Sequence, residues 1–235
     1  DSIIIEKSES SSPPQNGIRT VTLNENSIQL LKDVGITPKF SKVELINVFD
    51  GEGSGKIKFA ATDINAETLS YVIYFDELHA QTLNLCRKRT YFKNQINTIQ
   101  NFNSESDSEV ILQDDTLIKT SVIAGCDGRN SNVAKISSLS SQSEDYFQTA
   151  ITFIVETDGS QKTTAHQVFS DRGIFALMPA PDYKGKANSF TVVWSVSNSD
   201  LEGKEISEYV SKNITFFESK LCMQLRPISD ILNFR

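Results

Sequence analysis

Glu6, Arg19 and the pair Asp127-Gly128 are the residues best suited to hold a hydroxylated or charged ligand. Glu6 closes the apolar run Ile3-Ile4-Ile5, and a carboxylate at the end of such a strand can accept both hydroxyls of a ribose. Arg19 precedes a helical pattern, where its guanidinium can make a charge-assisted, bidentate pair with a phosphate. Asp127 and Gly128 lie in the stretch from Val122 to Lys135. A short apolar strand is expected there, running into Gly125 and placing the Asp127 carboxylate at the carboxyl edge of an open sheet. Gly128 lets the backbone turn closely around a ligand, and Ser131 can cap the next turn. Each residue also has a plainer reading: Glu6 as a strand end, Arg19 as a surface arginine, and Asp127 as a helix cap.

A second constellation is apolar. Gly173 to Pro181 reads Gly-Ile-Phe-Ala-Leu-Met-Pro-Ala-Pro, and Ser189 to Ser195 reads Ser-Phe-Thr-Val-Val-Trp-Ser. Paired as strands, these would form an apolar wall from Phe175, Met178, Pro179 and Trp194. Trp194 offers a large face to a flat ligand, and its N–H needs a partner; a buried core tryptophan is the alternative. His79 and His166 belong to no such group and read as structural or exposed. No side chain stands out as an acid, base or nucleophile. Cys86, Cys126 and Cys222 are too widely spaced for a zinc pattern and odd in number, so no disulfide framework is expected and the setting reads as reducing and intracellular.

The elements that must position these residues follow from periodicity and turn signals. Ser2 to Ile5 reads as a buried strand, Ser8 to Gly17 as a loop, and Thr22 to Gly35 as a helix capped by Asn24 or Asn26 and stopped at Gly35. Val43 to Thr62 reads as strands around the turn Gly51-Glu52-Gly53-Ser54-Gly55, a hairpin rather than a phosphate loop. Asp76 to Arg89 is a second helix, with Arg87-Lys88-Arg89 at its solvated end. Thr98–Phe102, Glu109–Gln113 and Thr120–Ala124 are short strands. Ser137 to Glu144 is a serine-rich linker. Four strands of an antiparallel sheet then follow at Gln148–Glu156, Thr164–Phe169, Gly173–Met178 and Phe190–Val196, with an amphipathic helix at Ile206–Leu221. The fold class is therefore α/β (α+β), an alternating portion beside a mainly antiparallel sheet.

Composition narrows the function. The 235 residues carry a net charge of −7, with 38% hydrophobic residues and a mean hydropathy of −0.27. A chain this acidic is not built to hold nucleic acid. No apolar run reaches the roughly 18 residues of a membrane span, and no secretory signal is visible. Asn213-Ile214-Thr215 fits the glycosylation pattern, a triplet that also arises by chance.

Four segments, in the same order, resemble one family: Ile3-Ile-Ile-Glu-Lys7; Arg19-Thr-Val-Thr-Leu with Leu30-Leu31 and Gly35-Ile36; the Asp127-Gly128 stretch, similar to the DGxxSxVR motif; and the Phe-Ala-Leu-Met-Pro and Val-Val-Trp-Ser pair. Together they resemble the ubiquinone-biosynthesis hydroxylases, FAD-dependent aromatic monooxygenases with the p-hydroxybenzoate hydroxylase fold. The arginine that closes DGxxSxVR is Ala134 here, followed by Lys135. The resemblance implies an incomplete FAD-binding, Rossmann-like domain at 1–45 and 73–145, a substrate-binding sheet domain at 46–72 and 146–225, and a returning FAD-domain segment from 226 to 235. It implies that Glu6 holds the adenosine ribose, that Arg19 lies near the phosphates, and that Asp127 and Gly128 lie near the pyrophosphate. Phe175, Met178, Pro179 and Trp194 would line the substrate pocket.

The implied reaction hydroxylates an aromatic ring of a polyprenylated phenol through a flavin hydroperoxide, with dioxygen and NAD(P)H or another electron donor. A prenylated substrate implies peripheral contact of a cytoplasmic protein with the inner membrane, and contact with ubiquinone-pathway proteins. The family's Gly-rich turn before the Glu6 strand and its Gly-Asp turn near the other end are not in this sequence, so a member truncated at both ends is expected. Hydroxylation of a soluble aromatic compound and a non-catalytic binding module without flavin are the alternatives.

Overall fold

The computed structural model describes residues 2–6, 17–89, 91–94, 99–103, 108–112, 114–139, 142–159 and 161–234. In chain order the elements are β1 (Ile3–Glu6), β2 (Thr20–Leu23), α1 (Glu25–Asp33), β3 (Ser41–Val43), β4 (Leu45–Asp50), β5 (Lys56–Ala60), β6 (Ser70–Tyr74) and α2 (Phe75–Arg89). They continue with β7 (Tyr91–Asn94), β8 (Ile99–Asn103), β9 (Ser108–Leu112), β10 (Leu117–Thr120), α3 (Asn132–Ile136), β11 (Gln148–Thr157), β12 (Thr164–Ser170), β13 (Gly173–Pro179) and β14 (Ser189–Ser197). The last are α4 (Asn198–Leu201), α5 (Ile206–Leu221), β15 (Leu225–Pro227) and β16 (Leu232–Phe234). The mixed α+β class expected from the sequence is the class observed.

The backbone separates into two compact units. The first comprises Asp1–Pro13 and Leu83–Glu144, the second Pro14–Thr82 and Asp145–Arg235. Strands β2, β3 and β6 and helix α1 fall in the second unit together with the large sheet. Strands β15 and β16 are both hydrogen-bonded to β11.

In the first unit β1 and β7 pair in parallel, Ile3 opposite Tyr91 and Glu6 opposite Asn94. Strands β8, β9 and β10 form a separate antiparallel sheet in the order β10-β9-β8, with Val110 and Leu112 buried. Two expectations are corrected here. Ile3 is 44% exposed rather than buried. The strand expected over Thr120–Ala124 is instead β10, which ends at Thr120. Its hydroxyl donates to the Val122 carbonyl at 2.9 Å and accepts from the Val122 N–H at 3.3 Å. This local side-chain bonding competes with the ladder, and Val122 is left 78% exposed.

In the second unit the large sheet runs β15-β11-β14-β13-β12-β4-β5, with β16 also on β11. Every pairing in it is antiparallel except β4 with β12. Gly173 opens β13 at φ +98°, and a Cβ there would stand 2.0 Å from the Ser195 carbonyl oxygen, so only glycine lets β13 meet β14 at this point. Strand alternation sends Ile151, Phe153, Val155, Val168, Phe175, Leu177, Val192 and Trp194 to one face, where they pack on Tyr209, Val210, Ile214, Phe217 and Leu221 of α5. The opposite face packs in part on the small antiparallel sheet β2-β6-β3, through Val43, Val72, Ala165, Ile46 and Met178.

Helix α1 follows β2 directly. Asn24 caps it, accepting from the Ser27 N–H at 2.9 Å, and Gly35 ends it at φ +87°. Among the described residues no helix is long and apolar enough to cross a membrane, and no cluster of three or more His, Cys, Asp or Glu could hold a metal.

Candidate functional site

The expected site residues divide between the units. Glu6, Asp127 and Gly128 belong to the first, and Arg19, Phe175, Met178, Pro179 and Trp194 to the second.

In the first unit Glu6 ends β1, opposite Asn94 of the parallel strand β7. A parallel pair that carries a carboxylate at its C-terminal end is the backbone setting that ribose recognition uses. Asp127 follows an irregular segment instead of the expected strand, and its carboxylate organises the loop. Oδ1 accepts from the Ser131 hydroxyl at 2.5 Å, and Oδ2 accepts from the backbone N–H groups of Asn132 at 2.6 Å and Val133 at 3.2 Å. Ser131 Oγ in turn accepts from the Ala134 N–H at 3.0 Å. The first turn of α3 is thus capped by both side chains. These bonds, that from Ser131 foremost, hold the Asp127 carboxyl below its ordinary pKa. The carboxylate is exposed and has about four acceptor positions, so it can still receive ligand hydroxyls. Gly128 is needed for its φ of +84°, since a Cβ there would meet nothing within 4 Å.

In the second unit Arg19 contacts two aromatic rings. Its guanidinium carbon lies 5.1 Å from the Phe75 ring centroid and 5.2 Å from that of Phe234. The Phe75 N–H donates to the Arg19 carbonyl at 2.8 Å, which locks the approach to β2 against the start of α2. Phe75 also stacks on His79, with centroids 5.9 Å apart. His79 Nδ1 and Thr20 Oγ1 are buried and, among the described residues, without a hydrogen-bond partner. Among the described residues Arg19 is in no ion pair. Cation–π contact restrains a guanidinium without using its N–H donors in hydrogen bonds, so the arrangement suits a phosphate. The two rings were missed by sequence reasoning. Phe75 lay next to a predicted helix start, but nothing local marked Phe234.

The apolar wall expected from Phe175, Met178, Pro179 and Trp194 does not exist as one surface. Phe175 and Trp194 are register partners and wholly buried. Phe175 stacks on Phe217 with centroids 4.1 Å apart, and Trp194 meets Phe217 edge-on at 5.0 Å. The Trp194 N–H donates to the Arg172 carbonyl at 2.8 Å. Both therefore form the core under α5 and have no surface for a ligand. Pro179 is buried as well. Met178 alternates to the other face, half-buried, where its sulfur accepts from the Thr22 hydroxyl at 3.6 Å. Two surface grooves, of about 760 and 680 Å³, border α4 and the start of α5. Their walls include Asp171, Arg172, Asp200 and Glu208 in one and Phe147, Asn198 and Leu201 in the other; neither includes an expected site residue.

No family model matches the chain. It is similar to an uncharacterized protein of Synechocystis sp. (slr1300), 21% identical over 159 residues, which are 65% of this chain and 37% of that protein. It is also similar to the ubiquinone hydroxylase UbiL of Rhodospirillum rubrum, 32% identical over 90 residues, which are 38% of this chain and 20% of that protein. The matched segments thus span well under half of either relative. Among solved structures, PqsL of Pseudomonas aeruginosa, a probable FAD-dependent monooxygenase, superposes with a TM-score of 0.71 at 12% identity, over 97% of this chain and 66% of that one. The flavin-dependent monooxygenase PieE, in complex with FAD and substrate, gives 0.70 at 9% identity over 99% and 45%. HpxO of Klebsiella pneumoniae, complexed with FAD and uric acid, gives 0.62 at 13% identity over 90% and 59%. Nearly the whole chain therefore has the fold seen in PqsL and PieE.

Proposed function

We propose that this chain belongs to an FAD-dependent aromatic monooxygenase. The observation that carries the reading is the likeness of 97–99% of the chain to PqsL and PieE. Glu6 would accept from the ribose hydroxyls, Arg19 would pair with a phosphate, and Asp127 with Gly128 would lie near the pyrophosphate. FAD, when bound, supplies the activation of dioxygen that ring hydroxylation requires. The chain's own contribution is orientation and dryness. Arg19 presents restrained donors, and the half-buried Met178 face offers an apolar, weakly hydrated surface to a ring.

For the substrate we propose a prenylated phenol of ubiquinone biosynthesis, supported by the UbiL segment, with NAD(P)H as donor and peripheral membrane contact from the cytoplasmic side. Hydroxylation of a soluble aromatic compound is the second reading, favoured by the likeness to HpxO. The test is to express the gene product at full length, titrate it with FAD, and read the flavin absorbance bands and fluorescence quenching. Saturable binding that weakens about tenfold or more in Arg19→Ala, the loss of one charge-assisted pair, supports the reading. A protein that stays colourless with excess FAD overturns it. Turnover of a prenylated phenol against a soluble aromatic acid then decides between the two substrates.

A further inference from the structure

Among the described residues the large sheet stops at β5, which pairs there with β4 alone. The bonds Asp50 N–H to Gly55 O and Ala61 N–H to Glu44 O, both 2.9 Å, set the phase of this hairpin. The hydrogen-bonded pairs between them are then Val48 with Ile57 and Ile46 with Phe59. Ile57 and Phe59 turn their backbone groups inward to β4, whereas Lys56, Lys58 and Ala60 turn theirs outward. The Ala60 N–H is taken by Asp63 Oδ2 at 3.0 Å. Among the described residues the edge thus offers the N–H and C=O of Lys56 and Lys58 and the C=O of Ala60.

The side chains sort in the same way. Ile57 and Phe59 are 58% and 51% exposed on one face, the face that also carries the exposed Phe169 and Ile174. Lys56 and Lys58 lie on the other face, and among the described residues neither is ion-paired; Lys56 rests over the Phe49 ring at 4.9 Å. We propose that β5 is a docking edge for an extended partner segment in which carboxylates, opposite Lys56 and Lys58, alternate with apolar side chains beside Ile57 and Phe59. Backbone bonds would supply affinity, and the two faces would supply selectivity. A second copy of β5 fits poorly. An antiparallel two-fold at Lys58 opposes lysine to lysine, a two-fold at Ile57 opposes Lys56 to Lys58, and a slip of one residue puts a lysine beside Ile57.

The test uses two labelled peptides of about eight residues, a strand-sized length: one alternating Glu and Val, the other Lys and Val. Fluorescence anisotropy reads binding, and amide hydrogen exchange reads Lys56 and Lys58. The acidic peptide is expected to bind and to slow exchange at both amides, and the basic peptide is not. Lys58→Pro removes one outward N–H and leaves the β4 ladder intact; it should weaken the acidic peptide about tenfold, the upper range for one hydrogen bond. The double variant Lys56→Glu with Lys58→Glu should reverse the peptide preference. Absence of acidic-peptide binding, equal binding of both peptides, or self-association that protects the same amides overturns the proposal. The first of these results would mean that the lysines blunt the edge against pairing.

Discussion

The two faces of the large sheet share strands yet differ in character. One is filled by α5, with Phe175, Phe217 and Trp194 in mutual ring contact and wholly buried. The other carries Met178 half-buried against the small sheet and leaves Ile57, Phe59, Phe169 and Ile174 open. Phe175 and Met178 stand three residues apart on one strand and face opposite ways, because side chains alternate with period two. Proximity in sequence therefore misgroups ligand-facing and core residues on a strand. The α5 face is where stability is concentrated, and the other face is where the chain can meet something else.

The largest expected effect is on the α5 face. Phe217→Ala should cost about 3–5 kcal/mol of unfolding free energy, read from urea midpoints. A cost near zero would erase the distinction between the faces.

Acid should attack the same face at its β4 end. His166 is buried there, with both ring nitrogens unpartnered among the described residues. Burial, and then the nearby charge of Lys56, pushes its pKa down to about 4 from the ordinary 6.5. The unfolded chain therefore binds this proton more tightly. Stability is full above about pH 6.5 and falls as the pH drops toward 4, with about 2 kcal/mol lost by pH 5. His166→Leu should remove that share of the pH dependence, seen as a smaller difference between midpoints at pH 7 and pH 5.

On the opposite face Met178→Ala should cost about 1–2 kcal/mol, below the range for fully buried methionines, because the side chain is only half-buried. Phe59→Ser should change stability by no more than about 0.5 kcal/mol, since the ring is 51% exposed. A cost above about 2 kcal/mol in thermal unfolding would mean that this face is covered in solution.

Much of the fold was legible. Ile206–Leu221 was read as a helix with the bounds of α5, because its apolar period is regular. The four strands of the antiparallel sheet and the glycine hairpin also stand where alternation and turn residues placed them. The loop at Asp127 was legible only in its plainer form. The carboxylate caps α3, and the strand expected before it gave way to the side-chain bonds of Thr120. For Arg19 the residue was legible and its setting was not, since Phe75 lies 56 positions beyond it and Phe234 lies near the other end of the chain.

By itself the sequence determined the local elements, through periodicity, caps and turns, and it pointed to a resemblance whose fold class the structure has, the fold seen in PqsL and PieE. The tertiary structure alone decided which face of each strand is core. It also decided which rings restrain Arg19 and which strand is left as an edge. These depend on register and on contacts between distant segments, where a shift of one residue reverses the face of every side chain.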